Sequence, residues 1–179
     1  KATIQGALTA SAGGVLHSLR TLWECDSTNN VLLDALYSEP LSPGIASVCL
    51  AELQTGGRGR RGRHWVSPPG SGVWCSVSWT WDAPPSDLSA LSLAAGAHVL
   101  RALQKRGCQG LQLKWPNDLL ANGRKIGGIL IDVHGDLAGP MSVVVGLGLN
   151  LIVSEATRNQ VKADGGQPPI GLYELGFTE

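Results

Sequence analysis

Between two stretches of alternating hydrophobicity, Ile45 to Leu53 and Val73 to Trp81, the chain carries the run Gly56-Gly57-Arg58-Gly59-Arg60-Arg61-Gly62-Arg63-His64-Trp65. Alternation with a period of two marks strands with one buried face, so two strands bracket a long loop that reaches to about Gly72. A loop of that length inside a compact domain is usually functional or disordered. Its glycines let the backbone turn through positive φ and approach a ligand closely. Its arginines each offer a planar, permanently charged fork that fits carboxylate or phosphate oxygens. The fold must therefore present a cationic loop from a sheet to an anion.

That local charge is placed, because 14 basic residues balance 14 acidic ones over the chain. Such balance argues against a dedicated DNA-binding or membrane-surface protein, so the loop reads as a small-ligand site. With 179 residues, 43% of them apolar, one domain with a real core is expected. Cys25, Cys49, Cys75 and Cys108 are widely spaced and form no Cys-x-x-Cys pair, which indicates neither zinc nor a disulfide framework. Reduced, buried thiols are expected. No apolar run reaches membrane-span length and no signal-peptide order opens the chain, so the expected location is the cytoplasm, with no membrane partner.

Residues 1–20 are small and rich in Gly, Ala and Ser, and read as a lead-in or linker before a single domain over 21–179. Leu22 to Cys25 is a short strand candidate, and Asp26-Ser27-Thr28-Asn29 supplies capping side chains ahead of the helical pattern Val31, Leu32, Leu36. Pro84-Pro85-Ser86-Asp87 opens a helix with Leu88, Leu91, Ala95, Val99 and Leu103 at helical spacing, ending near Gly107. Leu111 to Trp115 and Leu119 to Ala121 lead into Asn122-Gly123, a strong hairpin signal, with Lys125 to Val133 as partner strand. Met141 to Leu151 is the last clear strand. The tail from Ser154 is polar and rich in Pro and Gly, holds one brief Leu172 to Leu175 pattern, and reads as a truncated C-terminus. Hairpin-joined strands with helices between them predict an α+β fold: a mixed, mainly antiparallel sheet packed with helices.

Gly57-x-Gly59-x-x-Gly62 matches a dinucleotide fingerprint in form, yet His64 to Gly70 cannot open the helix that such a turn requires, and no Gly-Lys-Ser/Thr follows. In Lys114-Trp115-Pro116-Asn117-Asp118 an aspartate suited to Mg²⁺ stands near a lysine suited to phosphate, although a surface ion pair accounts for the same residues. Lys125-Ile126-Gly127-Gly128-Ile129-Leu130 sets a cation beside bare backbone against which a ligand could lie; a bulged hairpin reads the same way. Val145 to Asn150 repeats the theme, with core packing as the plainer account. His17, His64, His98 and His134 stand in unrelated contexts without a nucleophile elbow. An enzyme built from this inventory would clamp anions and orient two substrates. A non-enzymatic protein would use the arginines for affinity alone, as in an RNA-contacting segment.

Taken in order, Asp26 to Asn29, Gln54 to Trp65, Lys114 to Leu119, Lys125 to Leu130 and Gly146 to Asn150 closely resemble the catalytic core of bacterial biotin protein ligases over roughly residues 21 to 152. The resemblance implies activation of biotin by ATP as biotinyl-5′-AMP, then transfer to a lysine of the biotin carboxyl carrier protein of acetyl-CoA carboxylase. It assigns biotin to Ser27, Thr28, Asn29, Gln54, Gly57, Arg58, Gly59, Arg60, Lys125, Gly128, Leu130, Gly146 and Gly148. ATP falls to Arg60, Arg63, Trp65, Lys114, Asn117 and Asn150, with Trp65 flanking the adenine and Asp118 meeting Mg²⁺. Lys125 and Arg60 are the expected catalytic residues. No winged helix precedes the core and the family's small C-terminal domain is absent, so no DNA-binding role is expected; a homodimer through the sheet edge is. A lipoate or octanoate ligase or transferase of the same fold, or a non-catalytic biotin- or RNA-binding module, are the alternatives.

Overall fold

The computed structural model describes residue 6 and residues 10–83, 89–135 and 140–177. In chain order these form α1 (Ala10–Val15), β1 (Leu16–Cys25), α2 (Thr28–Ser38), β2 (Ala46–Gln54), β3 (Gly72–Trp81), α3 (Ser89–Lys105), β4 (Leu111–Lys114), β5 (Asp118–Ala121), β6 (Arg124–Gly135), β7 (Met141–Asn150) and α4 (Glu155–Ala163). Single 3₁₀ turns sit at Arg60–Gly62 and Leu172–Leu175. The strands make one seven-stranded sheet in the order β1-β2-β3-β7-β6-β5-β4. Only β1 and β2 run parallel; every other neighbouring pair is antiparallel, so the mixed, mainly antiparallel α+β reading holds.

Alternation sets which side chains each helix covers. Leu32 and Leu36 of α2 pack on Cys49 of β2 and Val144 of β7, all essentially inaccessible to water. Leu100 of α3 belongs to a second cluster with Leu111, Leu119 and Leu149. Val144 and Leu149 lie an odd number of residues apart on β7, so the two helices cover opposite faces. Each fully buried leucine contributes about 1.5–3 kcal/mol. Gly96 lets α3 approach closely, since a Cβ there would stand 2.6 Å from Leu113 Cδ1. The Asn122-Gly123 turn forms as its residues require, with both φ angles positive, at 51° and 71°.

Two elements differ from expectation. The first strand begins at Leu16, six residues before the expected start, so a boundary between residues 20 and 21 falls inside β1. Its side chains alternate weakly because it is an edge strand; its backbone is held by parallel pairing from Leu16↔Ala46 to Cys25↔Gln54. The polar tail holds α4, which buries none of its residues and so shows no apolar stripe; Ser154 caps it by accepting from the Thr157 amide at 3.1 Å. The proposed helix opening at Pro84 to Leu88 lies outside the described residues.

Candidate active site

The chain turns from β1 into α2 through Asp26 and Ser27. Ser27 occupies the cap position yet its side chain makes no cap bond. Gln54, brought alongside by the parallel register, does this instead: its Oε1 accepts from the Thr28 amide at 2.9 Å and lies 3.2 Å from Thr28 Oγ1. Gln54 Nε2 donates to Ser67 Oγ at 2.9 Å, and Ser67 donates to the Trp65 carbonyl at 3.1 Å. One glutamine thus ties the start of α2 to the far end of the arginine loop. Ser27, Thr28 and Asn29 are each 3% exposed, and all three line one cleft of about 620 Å³, within the usual range for a small-molecule site.

The arginine loop has a defined backbone. Gly59 donates to Arg63 at 2.7 Å and Trp65 to Gly57 at 2.8 Å, closing the loop on itself. Arg61 takes φ 59° and Gly62 φ 73°, the left-handed turn that reverses the chain. Gly57 must be glycine because a Cβ would strike the Trp65 carbonyl and stand 2.9 Å from Ser67 Oγ. Arg60, Arg61 and Arg63 are exposed, line the cleft and have no carboxylate partner among the described residues.

The floor is made by β6 and β7, where Gly128 pairs with Gly148 and Leu130 with Gly146. These glycines do not lie bare. Trp65 covers Gly148 and Gly128, with its ring edge toward Trp74 at 6.4 Å between centroids, and its buried Nε1 has no partner among the described residues. Asn29 covers Gly146 so closely that a Cβ would collide with its amide. Both polar ends of Asn29 are engaged inside the protein, Oδ1 accepting from Ser76 Oγ and Nδ2 donating to Asp132 at 2.7 Å.

Lys125 Nζ lies 2.6 Å from Asp118 Oδ1 and 5.2 Å from the centroid of the Trp65 ring. Both charged side chains are about one-fifth exposed, at 23% and 20%. The contact depends on a register shift between Leu119 and Leu120 that swings the lysine back toward Asp118. Asn117 Nδ2 donates to the Ile129 carbonyl at 2.7 Å, and its side-chain oxygen has no partner among the described residues. Lys114 Nζ donates to Gln167 Oε1 at 3.1 Å. Asn150 is 8% exposed and donates toward the Lys125 and Ile170 carbonyls at 3.3 and 3.4 Å, holding the start of β6 against the tail.

Asp118 therefore serves as counter-ion to Lys125. Among the described residues no three metal-ligating side chains converge. One carboxylate beside a free amide oxygen suits Mg²⁺ entering on phosphates and keeping its waters, which is how that ion is commonly bound.

Sequence reasoning missed two parts of this cleft. Asp132 lies beneath the cleft and holds two of its lining residues, Arg58 and Asn29; it shares the parity of Gly128 and Leu130 on β6, so a charge on that face of the strand was its signal. The tail contributes Thr157, Val161 and Gln167 to the opposite wall. It is tied down by Glu174, which accepts from Arg158 at 2.6 Å and from the Gly171 amide at 2.9 Å. Burial pushes the Glu174 carboxyl up, but that amide and Arg158 outweigh it and leave it below its ordinary value.

The chain belongs to the biotin/lipoate A/B protein ligase family, whose model matches residues 24–150. It is 39% identical over 161 residues to the bifunctional ligase/repressor BirA of Escherichia coli, covering 90% of this chain and 48% of that one. It is 39% identical over 144 residues to the biotin--[acetyl-CoA-carboxylase] ligase of Mycobacterium tuberculosis, covering 78% and 52%. The chain thus spans about half the length of these curated relatives. The biotin protein ligase of Aquifex aeolicus in complex with biotin and ATP superposes with a TM-score of 0.59 at 28% identity, covering 89% of this chain and 64% of that one. No described helix is long and apolar enough to cross a membrane.

Proposed function

We propose that this domain activates biotin with ATP to form biotinyl-5′-AMP and passes the biotinyl group to a lysine of a biotin carboxyl carrier protein in the cytoplasm. The observation that carries this reading is the two-ended lining of the cleft. Ser27, Thr28 and Gln54 at one end are uncharged hydrogen-bonding groups, suited to the N–H and C=O groups of a cyclic urea. The other end holds Lys114 and Lys125, and Arg60 and Arg63 of the loop line the same cleft, cations suited to a carboxylate and phosphates. The dithiolane of lipoate and the chain of octanoate have no polar groups for the neutral end to meet.

In the first step a biotin carboxylate oxygen attacks the α-phosphorus of ATP and pyrophosphate leaves. Two anions must meet, and Lys125 offsets their repulsion as the cation deepest in the cleft. Arg60, on the exposed loop, holds the adenylate and screens it from water. Asp118 is the carboxylate to meet Mg²⁺ arriving on the nucleotide, an ion that would draw charge from the departing pyrophosphate. In the second step the amine of the acceptor lysine attacks the activated carbonyl, and AMP leaves. Arg58, Gly59 and Leu130 line the cleft and would meet biotin, with Gly57 buried behind them, while Trp65, Asn117 and Asn150 would face the nucleotide.

The test is ATP–pyrophosphate exchange with biotin, lipoate and octanoate compared side by side. Exchange driven by biotin above the other two is the expected result. Exchange driven equally or better by lipoate or octanoate would replace biotin as the substrate, and no exchange with any acid would overturn the ligase reading.

A further inference from the structure

A relay of side chains runs beneath the neutral end of the cleft and ends on one carboxylate. Asp132, whose side chain is 23% exposed, receives two bonds on Oδ2, from Asn29 Nδ2 and from an Arg58 guanidinium nitrogen, each at 2.7 Å. A carboxylate only accepts, so Asn29 must turn its amide nitrogen toward Asp132 and its oxygen toward Ser76. Ser76 then gives its one proton to Asn29, so the proton of Thr28 fills the 2.7 Å contact with Ser76 Oγ in preference to its longer 3.2 Å contact with Gln54 Oε1. The Gln54 oxygen takes the Thr28 amide at 2.9 Å. Thr28 is left facing the cleft with lone pairs and no proton.

We propose that Asp132 is a positioning residue with two effects: it docks the arginine loop on the sheet through Arg58, and it sets the hydrogen-bond polarity of the neutral end so that Thr28 accepts an N–H from the ligand. This rests on reading the cleft as a biotin site, in which the ligand N–H belongs to the urea. The two effects separate by mutation. Asp132→Asn removes the charge that orders both. Arg58→Gln removes the docking pair and leaves the relay from Asp132 to Thr28 in place.

The experiment has a ligand-free arm and a ligand arm, each applied to the wild-type domain and both variants after a cooperative melt has shown that they fold. Limited trypsin digestion without ligand should cut within Arg58 to Arg63 faster in both variants, by about tenfold for one lost charge-assisted contact. Steady-state pyrophosphate exchange is then compared for biotin and for carbamate analogues in which either ring N–H is replaced by oxygen. Both variants should raise the biotin KM by about ten- to hundredfold with kcat changed by less than about threefold. The preference for biotin over the less tolerated analogue should survive in Arg58→Gln and collapse in Asp132→Asn. Loop cleavage unchanged in Arg58→Gln overturns the docking role, and that variant carries this arm if Asp132→Asn fails to fold. A preference kept in Asp132→Asn, or in a Ser76→Ala variant that breaks the same relay, overturns the polarity role. Should the wild-type domain show no biotin-dependent exchange, the biotin reading falls, while the digestion arm still decides docking.

Discussion

Gly148→Ala should lift Trp65 off the floor of the cleft. A Cβ at Gly148 would stand 2.5 Å from Cε2 and 2.6 Å from Nε1 of the Trp65 indole, where ordinary contact begins at 3.4 Å. The difference, 3.4 less 2.5, requires a shift of about 0.9 Å. The strand cannot yield, because Gly148 is paired with Gly128 on one side and Trp74 on the other. The rigid ring must move instead, and with it the surface over which Lys125 lies. Overpacking of this kind costs about 1–3 kcal/mol, which in a domain of this size lowers Tm by about 2–10 °C. Gly128→Ala is the graded control: its nearest neighbours, Lys125 Cε and Trp65 Cζ3, stand at 3.3 Å, so it should cost less than about 1 kcal/mol. Calorimetric melts with biotin titrations would follow the effect, and in a Trp65→Ala background Gly148→Ala should become nearly neutral. A melting point within about 1 °C of wild type, or an equal cost in both backgrounds, would refute the argument.

Lys125→Ala should abolish pyrophosphate exchange, whereas Arg60→Gly should still form biotinyl-5′-AMP and release it, labelling bystander lysines; the opposite pattern in an adenylate-release assay would reverse the two roles. Gln54→Ala strands the Thr28 amide and should cost about 1–3 kcal/mol in a urea melt while weakening biotin binding, and an unchanged midpoint would count against its role as helix cap. Burial holds the Cys25, Cys49 and Cys75 thiols up at about 11 from 9.0, so they should resist alkylation at neutral pH, as iodoacetamide labelling with and without denaturant would show. Since the unfolded thiols lose protons first, the folded state holds more protons above pH 9, and stability should fall between about pH 9 and 11; a flat profile of the denaturation midpoint there would contradict the burial.

What the sequence revealed depended on whether a feature repeats locally. The strands flanking the arginine loop, the Asn122-Gly123 hairpin and the apolar stripe of α2 each announce themselves within a few residues, and each forms. The glycines at 128, 146 and 148 announced bare backbone, but a missing side chain cannot say what occupies its place. Trp65 and Asn29 do, one from the loop and one from α2, and only the tertiary fold brings them there. The same holds for α4, whose polar residues read as a loose tail because no described residue of that helix is buried.

The charges tell the deeper part of this story. Lys125 and Arg58 each hold a carboxylate, Asp118 and Asp132, while Arg60, Arg61 and Arg63 hold none among the described residues. The cations that touch the sheet are thus paired, and the three outer arginines of the loop have no carboxylate partner among the described residues. An entering anion meets the exposed guanidinium groups first, drawn by a field that salt screens. To reach Lys125 it must then take the place of Asp118, whose contact at 2.6 Å holds the ammonium in position beforehand. Neither pairing follows from the sequence, since 7 residues separate Asp118 from Lys125 and 74 separate Arg58 from Asp132. A register shift makes the first pair and the loop's return to β6 makes the second. Both depend on backbone geometry, which is why residue type alone pointed to the cations and left their partners unseen.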